Sequence, residues 1–75
     1  MRRFQDPAGR EWEVVVGRES WGTVVAIFVA TGDPEPPREA MMEVSSADEG
    51  NRVLLTMSSE ELHELLLASK QKPTA

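Results

Sequence analysis

The chain has no cysteine, no tyrosine, one histidine, two tryptophans and two phenylalanines among 75 residues. Without cysteine it can form no disulfide and offers no thiolate nucleophile, and the usual structural zinc sites are excluded. Basic residues are also scarce. Eight lysines and arginines stand against thirteen acidic residues, a formal charge of -5, so a nucleic acid backbone is on average repelled and a generic DNA or RNA binder is disfavoured. No long hydrophobic run is present: the longest, Val24 to Ala30, is far short of the roughly 20 residues that a membrane-spanning helix needs. Met1-Arg2-Arg3 leads into polar and turn residues rather than an apolar stretch, so no secretory signal is expected. A soluble, cytoplasmic protein is the default expectation.

A chain of this length makes one domain, residues 1–75, and buries only about 60% of the surface exposed when unfolded, which leaves little volume for a deep substrate cavity. The 40% hydrophobic content suffices for a core. Asp6-Pro7-Ala8-Gly9 has the residue preferences of a type I turn ending in a left-handed glycine and a bulge. Its arms are Arg2 to Gln5 and Arg10 to Val16, with Phe4 and Trp12 as cross-strand neighbours. Trp12, Val14 and Val16 alternate with Glu11, Glu13 and Val15, which puts Trp12 on the core face.

Gly17 to Gly22 reads as the next turn, with Trp21 at the mouth of the following strand. Thr23 to Ala30, TVVAIFVA, is β-branched and apolar at nearly every position and is expected to be a central strand. Prolines 34, 36 and 37 cannot continue a strand, so residues of about 31–39 are expected to form a loop or crossover. Ala40 to Ser45 and Arg52 to Met57 are read as a second hairpin around Asp48-Glu49-Gly50-Asn51. Ser58 with Glu61 forms a capping-box pattern, and Met57 with Leu62 could form a hydrophobic staple. A helix over about 58–71 follows, with Leu62, Leu65, Leu66 and Ser69 on one face and Leu67 off it.

The expected fold is therefore α+β: a small antiparallel sheet of four or five strands with one C-terminal helix on one face. Such a helix covers a single face of the sheet. The central strand is nevertheless apolar on both, with Thr23, Val25, Ile27 and Val29 on one side and Val24, Ala26, Phe28 and Ala30 on the other. Which side the helix covers is left open. Contiguous exposed apolar patches beyond a few hundred Å² are uncommon on monomers, so the second face is expected to be an interface. The competing reading is that the proline-rich loop or the N-terminal segment folds over it. The candidate interface residues are Val24, Ala26 and Phe28 or the opposite set, flanked by Val15, Trp21, Met41, Leu54 and Leu67.

Chemistry finds little support. His63 has Glu60 three residues before it, and two ligands are too few for the usual zinc geometries. No serine lies in a nucleophile elbow, and Ser58 is explained as a cap. The acidic pairs fall on a solvated strand face and at a helix N-terminus, which leaves no paired acid and base. Pro34-Glu35-Pro36-Pro37 matches P-x-x-P only formally. No catalytic residue, no metal site and no cofactor is expected. The expected function is a non-catalytic protein–protein interaction module, self-associating as a homodimer or larger assembly or serving as an accessory subunit. The alternative is a small-ligand or nucleic-acid binding module that uses the sheet surface.

Overall fold

The computed structural model describes residues 2–18, 22–32 and 36–71. The strands are β1 (Arg2–Gln5), β2 (Glu11–Arg18), β3 (Val24–Ala30), β4 (Arg38–Met41) and β5 (Lys70–Gln71), and the helices α1 (Ala47–Thr56) and α2 (Ser59–Leu67) lie between β4 and β5. All neighbours in the sheet are antiparallel, in the order β1-β2-β3-β4-β5. The α+β class with an antiparallel sheet is as expected, but the described residues form two helices rather than one.

The first hairpin forms as its sequence implies. The Gly9 amide donates to the Asp6 carbonyl at 2.9 Å, the Asp6 amide donates to the Arg10 carbonyl at 2.9 Å, and Gly9 has φ +88°, a conformation that favours glycine. Phe4 pairs with Trp12, and both are buried. β2 continues two residues past the expected end at Val16, so Gly17 is a strand residue opposite Val25 instead of the start of a turn. A Cβ at Gly17 would overlap the Ile27 Cδ1, so the absence of a side chain leaves room for Ile27 in this rotamer.

The expected second hairpin does not exist. Asp48 to Asn51, read as a turn, and Arg52 to Thr56, read as a strand, together form most of α1. Val53, Leu55 and Met57 alternate like a strand, yet Gly50, Val53, Leu54 and Met57 also follow helical spacing. Two local features favour the helix. The Ser46 hydroxyl accepts from the Glu49 amide at 3.1 Å, and the Glu49 carboxylate accepts from the Ser45 amide at 3.2 Å, which satisfies amides at the helix start. Gly50 is buried against the sheet, where a Cβ would meet the Val24 Cγ1 at 3.1 Å, so glycine here permits close approach of helix and strand.

β4 begins at Arg38, inside the expected loop of 31–39, because the last proline of that run is Pro37 and later residues can donate to the ladder. α2 starts as expected, with Ser58 and Glu61 forming a full capping box. It ends at Leu67 rather than near residue 71. The Ser69 hydroxyl donates to the Leu66 carbonyl, and Arg38 donates through Nε to Ser69 Oγ and through Nη2 to Ser69 O, both at 2.8 Å. These bonds compete with helix continuation and turn Lys70 and Gln71 onto the edge of β4.

Both helices lie on one side of the sheet, α1 against β2 and β3 and α2 against β4 and β1. Between them and the strands sits a core of Phe4, Trp12, Val14, Ala26, Phe28, Ala30, Ala40, Leu54, Leu62 and Leu66. Phe4 and Phe28 meet edge to face at 6.1 Å, a favourable aromatic geometry.

Candidate functional site

The pleat sends successive side chains to opposite faces, and the register identifies the face that the helices leave open. Val15, Ile27, Glu39 and Lys70 form one row across β2 to β5. Gly17, Val25 and Met41 form the next row on one side, and Arg3, Glu13 and Val29 the next on the other. The centre of this face is thus apolar: Val29 is 40% exposed and Met41 75% exposed, while Val15 and Ile27 are half-buried. Arg3 and Glu13 form an ion pair of 3.1 Å at the β1 side, and Lys70 stands opposite Glu39 at the β5 side.

The expected interface set divides accordingly. Val15 and Met41 lie on the open face together with Ile27 and Val29, whereas Val25 points to the same side but is buried. Val24, Ala26 and Phe28 are a correction: they are buried on the opposite side of β3, because both helices pack there. Leu54 is a second correction. The period-2 reading of Arg52 to Met57 puts it on a strand as an interface residue, but it belongs to α1 and is almost wholly buried. Leu67 is 69% exposed and lies in the helical layer, apart from the open face. Trp21 lies outside the described residues. The open set of β3 was available in the sequence as the alternative to the Phe28 set, and only helix placement chooses between them.

A second candidate site lies between the first hairpin and α2. Gln5, Asp6 and Pro7 of the first hairpin face Ser59, Glu60 and His63 of α2 across a shallow depression. Asp6 is engaged in holding the turn. Its Oδ1 accepts from the amides of Ala8 at 3.0 Å and Arg10 at 2.9 Å, and its Oδ2 accepts from the Trp12 indole Nε1 at 3.1 Å. The Trp12 bond above all, then the two amides and the nearby His63, hold the Asp6 carboxyl below its usual range against the opposing effect of desolvation. The Nδ1 of His63 is shielded from solvent and makes no hydrogen bond. Among the described residues no three His, Cys, Asp or Glu side chains converge to hold a metal ion.

At the β4 edge, Met41 and Leu65 line two adjoining apolar grooves. Val25, Ala40 and Ala68 line one with Glu39 and Lys70 at its rim, and Met42, Val44, Val53 and Met57 line the other with Glu43. Among the described residues no helix is long and apolar enough to cross a membrane. Comparison with protein families, with curated proteins and with solved structures finds no match to this chain.

Proposed function

We propose that this chain is a non-catalytic protein–protein interaction module that docks through the open face of its sheet. The observation that carries this reading is the apolar centre on the side without helices, made by the exposed Val29 and Met41 and the half-buried Val15 and Ile27. An apolar patch rimmed by charged groups, here Arg3, Glu13, Glu39 and Lys70, has the anatomy of an interface, with a core to exclude water and a polar rim. The polar depression beside α2 supports catalysis less well, since Asp6 is committed to three hydrogen bonds within its own hairpin.

Binding of single-stranded nucleic acid on the sheet is the weaker reading. Such sheets present aromatic side chains for base stacking, whereas the described aromatics, Phe4, Trp12 and Phe28, are all buried under the helices. The net charge of -5 opposes it as well.

The test is native size fractionation of extract containing the full chain. The wild type is expected to migrate well above its own 8.3 kDa, and Ile27→Glu, with an unchanged circular dichroism spectrum, is expected to migrate as the free chain. A wild type that already migrates as the free chain overturns the proposal.

A further inference from the structure

The open face has a breadth and a charge balance that together favour one particular partner. The molecule measures 33 × 31 × 19 Å, a slab of one sheet and one helical layer. An ellipse of its two longer dimensions covers about 800 Å², so a whole broad side, charged rim included, is of the size that each partner contributes to a standard protein interface. A narrow peptide would leave much of the apolar centre wet. A second broad, flat surface would cover it.

Charge narrows the choice. The open face carries two basic side chains, Arg3 and Lys70, and three acidic ones, Glu11, Glu13 and Glu39. It is therefore close to neutral although the chain carries -5. Much of the acidity lies in the helical layer, at Asp48, Glu49, Glu60, Glu61 and Glu64, on the far side of the sheet. A strongly basic partner would be drawn to the helices, whereas a near-neutral face with both signs on its rim can meet a copy of itself without large repulsion. Pairing through the β1 edge is disfavoured, because that edge strand is only four residues long and carries Arg2 and Arg3, and short, cationic edges resist strand addition.

We propose that two copies of this chain pack open face to open face about a two-fold axis, with Ile27 near the centre. The proposal rests on the reading of this face as an interface and names its partner. Closed two-fold pairing is the usual form of self-association, and two sheets packed in this way sit about 10 Å apart with their apolar side chains interdigitated.

Light scattering on the purified full chain, diluted from high to low micromolar, tests it. The expected result is twice the 8.3 kDa chain mass at the top of the series. Ile27→Glu should weaken association by about a hundredfold or more, since it buries an unpaired charge at the interface centre. Met41→Glu changes a side chain that is 75% exposed, so it tests the same face without risk to the fold. Leu67→Glu, in the helical layer, should leave association unchanged. A dimer that survives both Ile27→Glu and Met41→Glu overturns the proposal, as does a monomer throughout the series. In the monomer case, native extract separates the two readings. A larger species there that Ile27→Glu abolishes leaves the face an interface for a different protein, and a free chain there ends both.

Discussion

The Asp6 carboxylate accepts a hydrogen bond from the Trp12 indole Nε1 at 3.1 Å, joining the turn of the first hairpin to a core aromatic. The same carboxylate binds the amides of Ala8 and Arg10, and the Arg10 guanidinium lies over the Trp12 ring at 5.8 Å from its centroid. One side chain thus sets the turn and orients the tryptophan. The specificity visible in Phe4 to Val14 comes from this cluster.

Asp6 makes a pH-dependent contribution to stability. Its folded pKa lies below the reference value of 3.8, so the unfolded chain binds its proton first as pH falls. The contribution is full above the unfolded pKa and is lost as pH drops through the folded value. Urea titrations between pH 2.5 and 5 should show stability falling toward acid, with a shallower slope in Asp6→Asn. Asp6→Ala, which removes every acceptor, should lower the melting temperature more than Asp6→Asn does. An unchanged slope in Asp6→Asn would count against the bond to Trp12.

Arg38 should control the last strand. Its two 2.8 Å bonds to Ser69 link β4 to the segment between α2 and β5, and Arg38→Ala leaves those acceptors partly buried without the donor, a loss of about 1–3 kcal/mol. Arg38→Lys should rescue little of this, because a point-like ammonium cannot reproduce the guanidinium fork. Hydrogen exchange should speed up at Lys70 and Gln71 in both variants and remain slow in β2.

α1 can be tested through its cap and its glycine. Ser46→Ala should cost about 0.5–2 kcal/mol in denaturant unfolding, a loss not expected if this residue stood in a loop before a hairpin. Gly50→Val should destabilise by about 1–3 kcal/mol through overpacking, because its Cβ would lie 3.1 Å from the Val24 Cγ1. Stability equal to wild type in Gly50→Val would mean that helix and sheet are not so close.

Neighbouring residues of β3 report on its two faces. Phe28→Ala should cost about 3–5 kcal/mol, a large part of the roughly 4–11 kcal/mol expected for a chain of this length. Val29→Ala, at a position 40% exposed, should cost less than about 1 kcal/mol in the monomer. Equal losses in thermal unfolding would overturn the assignment of faces.

Much of the sheet was legible because its signals are local. Asp6 to Gly9 encode a turn, Val24 to Ala30 encode a strand, and Ser58 to Glu61 encode a helix start, each within a few residues. Two apolar faces on β3 were also legible, and with them the presence of a candidate interface. The error at Arg52 to Met57 arose because a short apolar run fits period 2 and period 3.6 almost equally. Ser46 and Glu49 carried the deciding cap. The glycine and asparagine that follow them look like a turn, and that masked it.

The amino-acid sequence by itself determined the first hairpin, the central strand, the start of α2 and the surplus of apolar surface over what one helix can cover. Tertiary structure decided the rest: that β5 exists, and that Phe28 and Leu54 are core while Ile27 and Val15 face outward. The physical reason is range. Turns and caps are hydrogen bonds between near neighbours in the chain, whereas the choice of faces depends on Gly50 meeting Val24, and β5 on Arg38 reaching Ser69, contacts 26 and 31 residues apart.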